Sequence, residues 1–143
     1  MNQKVVSVII RTKDRPFHLL RAISSVARQS YRELEAVIVN DGGCEVDLNK
    51  IRKISRGLPV NYIRHTICKG RAEAANTGIN NAQGEYIIFL DDDDYLYSHC
   101  VKTLVTGINR GDYDMCYGKS DCYEYKNGQK IFLFNLGRPM DIR

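Results

Sequence analysis

Short apolar strands alternate with helical segments along most of this chain. Residues 5–10 and 34–39 are rich in β-branched side chains, which is typical of strands that are buried on both faces of a sheet. Residues 60–64 and 86–90 predict two further strands. Four segments have the apolar spacing of helices: residues 19–27, 46–55, 70–81 and 97–108. This order predicts an α/β fold, in which right-handed crossovers join a mainly parallel sheet and helices cover both of its faces.

The last part of the chain has a different pattern. Residues 115–117, 122–125 and 130–134 read as strands, and Asn127-Gly128 predicts a hairpin turn between the last two. We therefore predict a three-layer α/β/α arrangement with an antiparallel hairpin at its C-terminal end. No linker, repeat or low-complexity tract interrupts the sequence, so residues 1–143 are predicted to form a single domain.

Composition narrows the class of protein. With 43% hydrophobic and 27% charged residues the chain resembles an ordinary globular domain, and no apolar run approaches the roughly 18 residues of a membrane span. The net charge of +4 comes from scattered basic residues, without the basic stripe expected of a nucleic-acid-binding surface. The five cysteines form no CxxC pair, and Met1 leads toward the first strand without a leader-like segment. We therefore expect reduced thiols, a cytoplasmic location, no nucleic-acid partner and at most a peripheral association with membranes.

Polar residues follow three of the predicted strands at the points where those strands end. Residues 11–14 follow the first strand, Asn40 and Asp41 end the second, and four consecutive aspartates at 91–94 follow the fourth. In open α/β sheets ligands bind at the carboxyl ends of the strands, so these groups are expected to meet at one edge and form a site. Asp14 is also the predicted N-cap of the first helix.

Each of these groups has a functional and a structural interpretation. The four adjacent carboxylates would bind Mg²⁺ or Mn²⁺ together with substrate phosphates, or would form a solvated acidic turn that caps the following helix. Asp41 would accept a hydrogen bond from a nucleotide base or ribose, or would serve the Asn-Asp-Gly-Gly turn alone. Arg71 would face a phosphate or solvent. His18, His65 and His99 lack a carboxylate or cysteine at metal-ligand spacing and are interpreted as structural.

Five segments occur in an order and spacing that are typical of a known family. They are residues 7–16 (SVIIRTKDRP), 22–31 (AISSVARQSY), 35–42 (EAVIVNDG), 70–78 (GRAEAANTG) and 84–94 (GEYIIFLDDDD). Together they resemble the family 2 glycosyltransferases of the GT-A fold, and the resemblance extends over about residues 4–118. It implies the Rossmann-like, nucleotide-binding part of a nucleotide-diphospho-sugar transferase.

The resemblance also implies roles for individual residues. Asp41 would contact the uracil of a UDP-sugar, and residues 91–93 match the DXD motif. In that motif Asp93 would be the direct ligand of Mn²⁺ or Mg²⁺, and Asp91 would help to hold the ribose or the metal. The metal ligands implied are thus Asp91 and Asp93. The nucleotide-sugar contacts implied are Thr12, Lys13, Asp14, Asp41, Gly70, Arg71, Asp91 and Asp92.

The activity implied is transfer of a sugar, with inversion, from a nucleotide-diphosphate donor to a glycan or lipid-linked acceptor hydroxyl, as in polysaccharide biosynthesis. The chain departs from the family at three places. Lys13 replaces a common aromatic residue, Ala75 replaces a common arginine, and no segment before Arg143 matches the acceptor-binding half. In inverting members that half supplies the catalytic base, so the base is unassigned and donor binding with little transfer is expected. A non-catalytic nucleotide-sugar-binding module stays the alternative, and no motif selects the sugar, the acceptor or the oligomeric state.

Overall fold

The computed structural model describes residues 4–111 and 113–136. The chain divides into two units, Met1–Lys102 and Thr103–Arg143. Met1 and Arg143 lie outside the described residues. The expectations that concerned these two ends, the absence of a leader-like segment and of an acceptor-binding half, are therefore not tested by the structure.

Four parallel strands form the sheet of the first unit. They are β1 (Val6–Thr12), β2 (Leu34–Asn40), β3 (Val60–Arg64) and β4 (Tyr86–Asp91), in the spatial order β3-β2-β1-β4. The central strands β1 and β2 are buried along almost their whole length, because helices cover both faces; this is why their sequences are continuous apolar runs. On the edge strand β4, exposed Ile87 and Phe89 alternate with less exposed neighbours. The predicted parallel sheet is confirmed.

Three helices of the first unit accompany the sheet: α1 (Pro16–Ala27), α2 (Leu48–Ser55) and α3 (Arg71–Asn80). A fourth helix, α4 (Cys100–Ile108), runs across the boundary between the two units. α1 packs against α2, whereas α3 packs on β1 and β2. Since right-handed crossovers place α1 and α2 on one face of the sheet, the return crossover from β3 to β4 places α3 on the other.

α3 approaches the sheet most closely at Gly78. A Cβ added there would lie 2.4 Å from Cγ2 of Ile9, which is fully buried in β1. We expect Gly78→Ala to lower the free energy of unfolding by about 1–2 kcal/mol, because overpacking outweighs the gain of roughly 1 kcal/mol in helix propensity. Urea unfolding measures the change. In an Ile9→Ala background the clash is absent and Gly78→Ala should instead stabilise slightly; an equal loss in both backgrounds would contradict the contact.

The predicted N-cap of α1 is wrong. Arg15 occupies the N-cap position and makes no side-chain cap hydrogen bond. Asp14 has a φ of 57°, a left-handed conformation that aspartate tolerates better than most residues. Its Oδ1 accepts a hydrogen bond from the backbone N–H of Cys44 at 2.7 Å, so the side chain serves the loop after β2 instead of the helix.

One helix start and one predicted strand also differ from the prediction. The helix expected from residue 97 begins only at Cys100, because the Tyr97 carbonyl accepts from the N–H of Cys100 in a preceding turn and from Nε2 of Gln29. Residues 115–117 are described but form no strand, since neither described sheet pairs with them.

The second unit carries the antiparallel hairpin. β5 (Ser120–Lys126) pairs with β6 (Gln129–Leu136), and the turn has positive φ at both Asn127 (50°) and Gly128 (77°). Two such residues match a type I′ turn, so the predicted hairpin is confirmed. Among the described residues, every helix is too short or too polar to cross a bilayer.

Candidate functional site

The carboxyl ends of three strands meet at one edge of the sheet. In the register of the ladders Thr12 lies beside Asn40, and Arg11 lies beside Asp91. The backbone N–H of Asp41 donates to the Thr12 carbonyl at 2.9 Å, which joins the ends of β1 and β2. The strand order reverses at β1, with β2 on one side and β4 on the other, so this edge is the switch point at which α/β sheets bind ligands.

A cavity of about 360 Å³ opens at this edge. Its charged lining sets four basic side chains against four carboxylates: Arg11, Lys13, Arg15, Arg71, Asp41, Asp91, Asp92 and Asp93. Thr12, Cys68, Gly70 and Ala74 complete the lining. The cavity therefore gathers the site residues predicted from the sequence, with the exception of Asp14, whose carboxylate is bonded to Cys44.

The acidic turn after β4 is held by three arginines and a threonine. Nη2 of Arg21 donates to the backbone carbonyl of Asp93 at 2.5 Å, whereas the other two arginines reach carboxylates. Nη2 of Arg11 donates to Oδ1 of Asp91 at 2.5 Å. Asp92 is buried, and its carboxylate accepts from Oγ1 of Thr12 at 2.7 Å and from Nη1 of Arg15 at 3.3 Å. The same Arg15 nitrogen lies 2.9 Å from Oδ2 of Asp93. Asp92 is thus fixed in place, whereas the side chains of Asp91 and Asp93 stay about half exposed.

The exposed carboxylates of this turn have the donor chemistry of a divalent-cation site. One oxygen each of Asp91, Asp93 and Asp94 lies within 4.8 Å of the others, and Mg²⁺ and Mn²⁺ prefer such hard oxygen ligands. Although Asp94 is exposed, partial desolvation of its carboxyl, and then the charges of Asp93 and Asp91, raise its pKa, and a bound cation would relieve the repulsion between these charges. The alternative, in which the acids cap α4, gains no support from that helix, because its first turn contains no acidic residue.

Asp41 is buried beneath the segment that leads into α3. Its Oδ1 accepts from the backbone N–H of Lys69 at 2.8 Å and lies 2.8 Å from Nδ1 of His65. Its Oδ2 accepts from the N–H of Gly70 at 2.8 Å and from Sγ of Cys68 at 3.2 Å. Four donors match the roughly four acceptor positions of a carboxylate, so Asp41 clasps the segment 65–70. We call this arrangement the Asp41 clasp.

The clasp holds Asp41 in its ionised form. Burial opposes the charge, but the hydrogen bonds, that from Lys69 foremost, keep the pKa of Asp41 well below its usual range. Nε2 of His65 lies 3.0 Å from Oγ1 of Thr77, which links the clasp to α3. Gly42 has a φ of 70°, and a Cβ there would lie 2.3 Å from the backbone nitrogen of Cys68, so only glycine permits this approach.

Arg15 and the partner of His65 were not identified from the sequence. Arg15 reaches acids that lie 77 and 78 positions away along the chain, and His65 reaches Asp41 across 24 positions. Local spacing does not signal such contacts. The only available signal was physical: adjacent carboxylates at a strand end repel one another unless cations lie nearby.

Comparisons with known proteins indicate the family of the chain. Residues 7–138 match the family model described as Glycosyl transferase family 2. An uncharacterized glycosyltransferase of Haemophilus influenzae is 32% identical over 142 residues, which are 99% of this chain and 56% of that protein. The GalNAc(5)-diNAcBac-PP-undecaprenol beta-1,3-glucosyltransferase of Campylobacter jejuni is 30% identical over 108 residues, covering 74% of this chain and 35% of that protein.

A solved structure extends the likeness to three dimensions. S. aureus TarS 1-349 in complex with UDP-GlcNAc matches with a TM-score of 0.68 and 25% identity, over 74% of this chain and 31% of that one. The GT-A fold expected from the sequence is thereby confirmed. The chain spans 18% and 56% of the length of two curated relatives that it matches, so it corresponds to part of such proteins.

Proposed function

The chain belongs to glycosyl transferase family 2, and from this premise we propose that its cavity binds the nucleotide diphosphate of a sugar donor. The observation that carries the proposal is the convergence of Thr12, Asp41 and residues 91–93 on one cavity at the switch point of the sheet. Guanidinium groups suit phosphate oxygens, and carboxylates suit the cation that accompanies a diphosphate. The cavity lining contains both.

We propose that the nucleotide base lies toward the Asp41 clasp and the diphosphate toward the arginines. Both Asp41 oxygens are already hydrogen-bonded, so a uracil N–H would bond to Asp41 only after displacing one of its four donors. The main role of Asp41 would therefore be to hold the segment 65–70 in position at this end of the cavity. Lys13 would cover the base with its methylene groups or meet a phosphate. A uridine nucleotide is favoured because the TarS structure contains UDP-GlcNAc.

We further propose that Asp91 and Asp93 hold Mn²⁺ or Mg²⁺ together with the donor's phosphates. The cation would neutralise charge that develops on the departing nucleotide diphosphate. Thr12 and Arg15 fix the buried Asp92, and this would keep its two neighbours at the cavity.

A glycan or lipid-linked saccharide is the proposed acceptor, because the name of the Campylobacter jejuni relative includes an undecaprenol-linked saccharide. In an inverting transfer the acceptor oxygen bonds to the anomeric carbon as the bond to the diphosphate breaks, and a carboxylate takes the acceptor proton. We assign that base to none of the described residues, so we expect this chain alone to bind donor and transfer sugar slowly. A binding module is the alternative, because the cavity lining offers groups that suit a nucleotide diphosphate and we assign a catalytic base to none of the described residues.

The proposal predicts metal-dependent binding of a nucleotide diphosphate. UDP, titrated into the protein by isothermal calorimetry, should bind at least roughly tenfold more tightly with Mn²⁺ than with a chelator, a difference of about 1.4 kcal/mol. Uridine is the control, since it retains the base but lacks the phosphates. Equal affinity for uridine and UDP, or no binding of UDP, would contradict a diphosphate site.

A further inference from the structure

The arginines at the acidic turn differ in how firmly they are held. The guanidinium of Arg11 bonds to Asp91, lies 3.4 Å from the carbonyl oxygen of Arg71 and 6.0 Å from the ring centre of Phe89, and its side chain is only 24% exposed. The Arg15 side chain is 50% exposed. Arg11 is therefore part of the cavity wall, whereas Arg15 is bounded by solvent on one side.

The contacts of Arg15 are confined to two acids. Among the described residues, its guanidinium bonds only to Asp92 and Asp93, through one nitrogen. The Asp92 carboxylate also accepts a hydrogen bond from the hydroxyl of Thr12. For the Asp93 carboxylate, the described hydrogen-bond partner is Arg15. Both members of the Arg15–Asp93 pair are half exposed, and such pairs contribute little to stability, so the pair can open at low cost.

We propose that Arg15 is an exchangeable counter-cation, which neutralises Asp93 until a divalent cation takes that carboxylate and then transfers to the donor's diphosphate. This inference rests on the proposed function and deepens it. A cation placed on Asp93 beside a guanidinium would be repelled by it, because like charges a few ångströms apart repel. A diphosphate in the same cavity gives the displaced guanidinium a charge-assisted, bidentate partner.

The exchange couples the two ligands. In the absence of UDP, Mn²⁺ must displace Arg15 from Asp93 while the guanidinium gains no new partner. The affinity of the site for Mn²⁺ alone is therefore lowered. With UDP present that cost is removed, and by reciprocity Mn²⁺ raises the affinity for UDP by the same factor. Arg15 therefore sets the size of the coupling and favours binding of metal and donor together.

Arg15→Gln tests the exchange through two effects of opposite sign. Mn²⁺ alone, followed by the paramagnetic resonance signal of the free ion, should bind roughly threefold to tenfold more tightly than to wild type, since the competing charge is gone. UDP at saturating Mn²⁺ should bind roughly tenfold more weakly, since a charged hydrogen bond is lost. Arg15→Lys, which keeps the charge, should restore the weak binding of Mn²⁺ alone.

The control is Arg52→Gln, which removes one positive charge from an exposed position on α2 and should change neither affinity. If Arg15→Gln leaves the affinity for Mn²⁺ alone unchanged or lowers it, while wild type still couples Mn²⁺ to UDP, the exchange is overturned and the proposed function stands. If wild type binds neither Mn²⁺ nor UDP, the proposed function fails and the inference falls with it.

Discussion

Asp41→Asn is expected to lower the free energy of unfolding by about 2–4 kcal/mol, because it places an amide group where only acceptors fit. Each oxygen of Asp41 accepts from two donors, and an asparagine has only one oxygen. In one orientation the amide nitrogen faces Gly70 and Cys68, and in the other it faces Lys69 and His65. Either way buried donors lose their acceptor, and urea unfolding at neutral pH measures the cost.

The same variant should lose part of the wild-type pH dependence. The usual pKa of the carboxyl, 3.8, is lowered by folding, so ionised Asp41 stabilises the native state above that pH. This contribution is lost as the pH falls below 3.8 toward the lower, folded pKa. The difference in unfolding free energy between wild type and Asp41→Asn should therefore be largest at neutral pH and shrink at about pH 3.

Asp47→Asn is the matched control. Asp47 caps α2 by accepting from the N–H groups of Asn49 and Lys50, and asparagine caps helices about as well as aspartate. This variant should change stability by less than about 0.5 kcal/mol. If Asp41→Asn is equally mild and its difference from wild type does not vary with pH, the clasp does not hold the segment 65–70.

The fold was largely predictable because its strongest signals are local. Strands β1 and β2 are central and buried, so their residues are almost all apolar. A continuous apolar run of this length is enough to predict a strand from the sequence. The predicted ends of β1, β2 and β4 were enough to expect Thr12, Asp41 and Asp91 at one edge of the sheet. Parallel strands that are joined by right-handed crossovers have their carboxyl ends at the same edge. The confirmed hairpin follows equally from the local turn chemistry of Asn127 and Gly128.

Features that depend on contacts distant along the chain were not predictable in this way. Asp14 has the residue type of an N-cap, but the N–H of Cys44 competes for its carboxylate. His65 looks like an isolated histidine until the fold brings it against Asp41. Arg15 precedes Pro16 in the sequence, and only the return of the chain through β4 places it against Asp92 and Asp93. These contacts determine the electrostatics of the cavity.

Asp93→Asn should abolish most of the effect of Mn²⁺ on UDP binding. Asp93 offers one of three carboxylate oxygens that lie within 4.8 Å of one another, and the substitution replaces a charged ligand with a neutral one. Changing a supporting group at a metal site typically costs 10–100-fold in affinity, so loss of a direct ligand should cost at least about that much. Calorimetric titration of UDP, with Mn²⁺ and with a chelator, measures the change.

Without metal the same variant should bind UDP as tightly as wild type or up to about threefold more tightly, because a negative charge beside the phosphates is removed and Arg15 is released. This opposite direction separates a metal-ligand role from general damage to the cavity.

The Asp93 side chain is 52% exposed, so the free energy of unfolding of Asp93→Asn should differ from that of wild type by less than about 0.5 kcal/mol. Asp92→Asn is the informative contrast: Asp92 is buried against Thr12, so its substitution should lower stability. If Asp93→Asn keeps the wild-type ratio of UDP affinities with and without Mn²⁺, the cation is bound elsewhere and the assignment of Asp93 is wrong.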